Sequence, residues 1–300
     1  MENRTSQDIT ADFRKTANRV SLVSLALNIG LSLLKLLSGI ISGSGAMISD
    51  AIHSASDVFS TIIVMIGVTA ASKKADAGHA YSHERFESIA SVILAVILAE
   101  TGIAIGWGGI SVIIGGNYGK IEAPGLPALI AAVVSVALKE WMYHYTKKAA
   151  KRINSDALMA DAWHHRSDAL SSVGAFVGIL GARLGLPILD SYASVLISVF
   201  IIKAAVDIFR DAAGKMVDKS CDDETVEKIR AVILSREGVR GIDELKTRLF
   251  GSRIYVDVEI RADSELSLRV SHGIAEDVHS SIEKEFPGIK HCMVHVNPDE

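Results

Sequence analysis

The chain has 300 residues, 49% of them hydrophobic and only 22% charged, with a net charge of −4 and a mean hydropathy of +0.31. The slight acidity argues against a nucleic-acid partner. Its two cysteines, Cys221 and Cys292, stand far apart and outside any C-x-x-C spacing, which argues against a disulfide framework or a thiolate metal site.

Charges gather in the N-terminal tail, near 73–87, near 147–152 and beyond 210, and the apolar runs between them are long enough for about 30 Å of hydrocarbon. Six spans are predicted, at about 19–41, 46–71, 88–114, 125–145, 156–184 and 187–208. The first 18 residues are polar and read as a tail. Lys and Arg crowd that tail (Arg4, Arg14, Lys15, Arg19), the second-to-third loop (Lys73, Lys74, Arg85) and the fourth-to-fifth loop (Lys147, Lys148, Lys151, Arg152). The opposite loops offer only Lys120 and Arg183, so both termini are expected in the cytoplasm of a multi-pass protein of the inner (plasma) membrane.

The second and fifth spans are the least hydrophobic, and they share the pattern Asp-Ala-x-His-x-x-x-Asp: Asp50, Ala51, His53, Asp57, and again Asp161, Ala162, His164, Asp168. On a helix these offsets share a face. Two such stripes facing each other offer two imidazoles and two carboxylates to one ion, a shell that suits zinc, whereas all-oxygen shells suit Mn, Mg or Ca. Ionisable side chains within a span are costly and usually functional. The bland alternative is that they hydrogen-bond within the bundle or line a water-filled vestibule. Asp50 and Asp161, one turn earlier, are candidate supporting carboxylates or plain structural caps; His165 points about 100° away and is expected to make a polar contact.

In the second-to-third loop, Asp76, His79 and His83 have three-ligand spacing, against the alternative of a solvated His-rich loop. His83 and Glu84 begin an H-E-x-x-H pattern that fails at Glu87, so a zinc protease is excluded. In span three, Gly102 and Gly106 form a G-x-x-x-G pair with Gly109 one turn on, which serves either bundle packing or a dimer contact. Lys139 and Glu140 are read as lying toward the cytoplasmic end of span four, where a lysine can snorkel, clear of the ion.

Residues 214–300 carry 13 basic and 18 acidic residues and read as a soluble domain. A helix is predicted at 222–236, strands at 244–250 and 253–260 across a Gly251–Ser252 turn, a helix at 267–285 and a strand at 292–296. The expected fold is an α-helical membrane protein: a tail (1–18), a six-helix transmembrane bundle (19–210), and a small cytosolic α+β domain (211–300) of αββαβ, ferredoxin-like order.

On SDAIHSASD (49–57) and ADAWHHRSDALSS (160–172) the chain resembles the cation diffusion facilitators, a family of divalent-metal/proton antiporters, and the likeness extends over nearly its whole length. The resemblance implies a homodimer in the lipid bilayer whose protomers each carry a transport site of His53, Asp57, His164 and Asp168, the set of the zinc-transporting branch. It implies a loop metal site at Asp76, His79 and His83. Through GIDELKTR, RIYVDVEI, VSHGIAEDV and MVHVNP it implies cytosolic ligands at Asp243, Asp257, His272 and His295, with a departure at Asn297 where zinc members often have Asp. Arg85 and Asp218 resemble a charge pair that joins the membrane and cytosolic parts across the dimer.

The expected function is export of a divalent cation, zinc first, with cadmium, cobalt, iron(II) or manganese as further cargo, in exchange for protons and without an organic cofactor. A manganese or iron(II) exporter is the alternative within the family, and a membrane metal sensor without flux the alternative outside it. An enzyme is not expected, because four protein ligands leave no open coordination position.

Overall fold

A computed structural model describes residues 6–42, 45–115, 126–183 and 188–299. Six long helices come first: α1 (Ser6–Ser42), α2 (Gly45–Ala71), α3 (Arg85–Gly115), α4 (Leu126–Ile153), α5 (Asp156–Arg183) and α6 (Ile188–Met216). Each overlaps one of the six predicted apolar runs, of which residues 125, 184 and 187 lie outside the described residues. Among the described residues, two stretches, Asp12–Ser38 and Arg85–Gly115, are long and apolar enough on their own to cross a membrane.

The helices pair as α1 with α2, α3 with α6 and α4 with α5, and α5 also touches α2, α3 and α6. Small residues let α3 and α6 approach closely. A Cβ added at Gly106 would stand 2.6 Å from Ser198 Oγ, and one at Gly109 would stand 2.8 Å from the Ser191 carbonyl oxygen. The glycine stripe is therefore bundle packing within one chain. At the other end of the bundle, Phe13, Ala17 and Val20 of α1 pack with Val64, Val68, Ala90, Leu94 and Leu158.

The last 80 residues form α7 (Asp223–Leu234), β1 (Gly241–Phe250), β2 (Arg253–Asp263), α8 (Leu268–Glu285) and β3 (Ile289–Asp299), in the expected αββαβ order. Asp222 caps α7 by accepting from the Thr225 amide at 2.9 Å. β1 and β2 are antiparallel and β2 and β3 parallel, giving the order β1-β2-β3. Ile229, Ile233, Val256, Val258, Ile260, Val278, Ile282 and Cys292 bury a continuous core between the sheet and the two helices. The strands outrun their predicted limits because polar residues such as His291 and Asn297 continue the β3 ladder.

The loop after α2 docks on this domain. Glu84 pairs with Lys290, Tyr255 Oη donates to the Tyr81 carbonyl at 3.3 Å, and the Arg85 guanidinium lies 4.7 Å over the Phe250 ring. Gly251 turns the β1–β2 hairpin at φ +59°, and a Cβ there would stand 2.6 Å from the Glu84 carbonyl oxygen. Only glycine meets both demands. Arg85 also pairs with Asp218 and donates to the Met216 carbonyl at 3.2 Å. The pair forms within the chain, where the turn at Asp218 (φ +59°) brings the end of α6 back beside the start of α3.

Candidate transport site

α2 and α5 bring their stripes together in the middle of the bundle. Asp57 Oδ1 lies 3.4 Å from His164 Nε2, and Asp168 Oδ2 lies 4.0 Å from the same nitrogen. Ligand atoms of all three residues fall within 4.8 Å of one another, and all three are buried. His53 stands one turn before Asp57 on α2, as the pattern requires, and Asp50 one turn before that; the side chains of both lie outside the described residues. Both imidazole nitrogens of His164, and Asp168 Oδ1, are buried without a hydrogen bond. An orphaned buried polar atom costs about 1–3 kcal/mol, and a divalent cation coordinated there would satisfy one nitrogen of His164 and the Asp168 oxygen.

Asp161 does not join this cluster. Its carboxylate faces His165 Nε2 at 3.5 Å, and both side chains are fully buried. His165 is four residues on and shares a helix face with Asp161, so the expected supporting carboxylate pairs with the neighbouring histidine instead of the ligand.

Lys139 is the residue that sequence reasoning missed. Its ammonium donates to Asp57 Oδ2 at 2.5 Å, to Asp168 Oδ2 at 2.9 Å and to Asn28 Oδ1 at 3.0 Å, with 2% of the side chain exposed. The expectation that it snorkels clear of the ion fails because α4 runs on to Ile153. The basic run 147–152 continues the helix, which leaves Lys139 at its midpoint. The available signal was a helix period that persists through those charges.

The second predicted cluster also forms. Asp76 Oδ1 lies 3.3 Å from His79 Nδ1 and Asp76 Oδ2 lies 3.4 Å from His83 Nε2, with ring centroids of the two histidines 4.3 Å apart. The Gly78 and His79 amides donate to Asp76 Oδ1 at 2.9 and 2.8 Å, fixing the carboxylate in a local turn. The bond from the His79 amide leads in holding the Asp76 carboxyl below its ordinary range. Asp76 and His79 are exposed and His83 is buried, which makes a three-ligand site at the protein surface.

The four cytosolic candidates are not assembled within one chain. No three of Asp243, Asp257, His272 and His295 bring ligand atoms within 4.8 Å. Asp243 is the extra residue of a β-bulge between Ile242 and Glu244, which turns it toward Arg261 at 2.9 Å and Asn297 at 2.9 Å. Asp257 sits in mid-β2 opposite Met293, while His295 on β3 and His272 on α8 are exposed.

Two carboxylates and an imidazole converging inside a helical bundle, joined to a small αββαβ domain, define a membrane protein that handles metal cations. Comparison with known proteins gives the family. Residues 21–217 match the cation efflux transmembrane domain, and residues 221–299 match the cytoplasmic domain of cation efflux proteins. The chain belongs to the cation efflux, or cation diffusion facilitator, family of divalent-metal transporters.

It is 34% identical to Metal tolerance protein C1 of Arabidopsis thaliana over 93% of its own length and 62% of that protein. It is 30% identical to Manganese efflux system protein MneP of Bacillus subtilis over 97% of its length and 99% of that protein. Magnetosome protein MamB of Magnetospira sp. (strain QH-2) is 31% identical over 96% of this chain and 98% of its own length.

Proposed function

We propose that this chain exports zinc from the cytoplasm across the plasma membrane in exchange for protons, as a homodimer of six-span protomers with cytoplasmic termini. The observation that carries the reading is the convergence of Asp57, His164 and Asp168 from two helices in the interior of the bundle. His53, on the same helix as Asp57, supplies the fourth ligand. Imidazole beside carboxylate favours a borderline ion such as zinc over magnesium or calcium.

Exchange follows from the ligands. Imidazole binds metal only when neutral, so a proton and the cargo compete for it. Presenting the site alternately to the two faces of the membrane then moves metal one way and protons the other. Asp76, His79 and His83 act as a surface metal site on the loop that docks against the cytosolic domain. That domain dimerises, and any metal it holds through Asp243, Asp257, His272 or His295 is shared between copies.

A second cargo reading, manganese, has its own support. Relatives of this length are named manganese efflux proteins, and the described part of the cluster has two carboxylates to one imidazole. Proteoliposome flux under an imposed pH gradient separates the two, with zinc, manganese, iron(II) and cadmium offered singly. Zinc flux that exceeds manganese flux and collapses with the gradient supports the reading. Manganese flux in excess transfers the assignment to the second cargo, and gradient-independent flux removes the antiport.

A further inference from the structure

We propose that Lys139 is a tethered counter-cation of the transport site: in the metal-free protein its ammonium occupies the space between Asp57 and Asp168, and cargo binds only by displacing it. This rests on reading those two aspartates as ligands of the transported ion. It adds a residue that decides which ions are admitted.

The geometry sets the ammonium against a metal, because the two would have to share the same pair of carboxylates. The ammonium takes the Oδ2 atom of both carboxylates, at 2.5 and 2.9 Å. A metal ligated by either oxygen of these carboxylates at about 2.0–2.2 Å would stand within a few ångströms of a positive charge in a poorly screened interior, where like charges repel strongly. With a neutral imidazole, Asp57, Asp168 and Lys139 together carry one negative charge. Once the ammonium withdraws, the two carboxylates present two negative charges to a dication.

Lys139 cannot withdraw to water along its helix. It lies 13 residues from Leu126 and 14 from Ile153, so either end of α4 is about 20 Å away at 1.5 Å per residue. A nearer resting place is on α1. Asn28 Oδ1 already accepts from the ammonium at 3.0 Å, while the Asn28 amide nitrogen is directed to Thr61 Oγ1 at 3.5 Å. Asn28 is fully buried. The flexible lysine stem lets the ammonium rotate off the carboxylates and keep this bond. Only an ion that gains more from the two carboxylates and the imidazole than the ammonium gains from the carboxylates will enter. Monovalent cations and reluctantly dehydrated magnesium fail that comparison, while zinc and manganese pass it.

The test is equilibrium binding of zinc alone, and separately of manganese alone, to the full-length protein in detergent at fixed pH. A fluorescent chelator serves as competitor, and His83→Ala removes the loop site from every sample. Lys139→Gln and Lys139→Met should each tighten metal binding by about tenfold, because the fraction of protein with a vacated site rises, and magnesium should begin to compete. Lys139→Arg, which keeps the tethered charge, should not tighten it. Unchanged or weakened affinity in both the Gln and the Met variants overturns the proposal. Weakening that Lys139→Arg restores would mark the lysine as a scaffold for the carboxylates. Lys139→Gln keeps a polar group in place and carries the test if Lys139→Met fails to fold. Asp57→Asn in the same background separates this inference from the reading beneath it. If high-affinity binding survives Asp57→Asn, the site itself is misassigned; if binding needs Asp57 and ignores Lys139, only the counter-cation fails.

Discussion

His164 Nε2 on α5 and Asp57 Oδ1 on α2 face each other at 3.4 Å, joining two helices whose ligand patterns lie more than a hundred residues apart in the chain. Neither nitrogen of His164 has a hydrogen bond to satisfy it, so this imidazole is poised to ligate. Replacing it by Asp converts the described cluster to three carboxylates. His164→Asp should move selectivity from zinc toward manganese by about tenfold or more in competitive flux; an unchanged zinc-to-manganese ratio would remove His164 from the ligand set.

The loop site should be separable from transport. His83→Ala takes away the buried ligand of the Asp76 cluster, so bound metal, measured by elemental analysis after desalting, should fall by one ion per protomer while flux at saturating metal persists. Loss of all flux would make the loop an obligate part of the pathway.

Gly251→Val tests the docking of the loop on the cytosolic domain. The substitution forces a β-branched residue into positive φ and against the Glu84 carbonyl, a strain of about 1–3 kcal/mol. A carbodiimide should couple Glu84 to Lys290 in the wild type, where the two form an ion pair, and fail to do so in the variant. Equal coupling in both would show that the hairpin does not hold this contact.

Asp222 offers a pH prediction. The Thr225 amide and hydroxyl donate to its carboxylate and hold its pKa below the ordinary value. A carboxyl depressed in the folded state stabilises above its unfolded pKa and loses that contribution as pH falls through the folded value. Amide exchange across α7 should therefore be faster in Asp222→Ala than in wild type at neutral pH, and the difference should close as pH drops below about 4. A difference that stays constant down to pH 3 would contradict the cap.

Much of this architecture was legible in the sequence because its signals are periodic. The six apolar runs, the two Asp-Ala-x-His-x-x-x-Asp stripes and the αββαβ order all come from spacing, and Asp57, His164 and Asp168 meet as that spacing requires. Lys139 was misread because its surroundings depend on where α4 ends, and a basic helix end looks like a loop when only hydropathy is followed. Asp243 was misread because a one-residue bulge redirects a side chain without leaving a mark in strand periodicity. Arg85 meets Asp218 at a turn of positive φ that carries no glycine, so neither hydropathy nor turn composition marks that contact.

The central claim is that metal crosses through the buried cluster on α2 and α5. It is tested most directly by zinc and manganese flux in proteoliposomes under a pH gradient, for wild type beside Asp57→Ala and Asp168→Ala, with each variant shown to be folded and of wild-type oligomeric state. Gradient-dependent flux in the wild type and a loss of about 100-fold or more in either variant is the expected result, since a site stripped of a charged ligand forfeits several kcal/mol of binding. Flux near wild type in either variant would contradict the assignment.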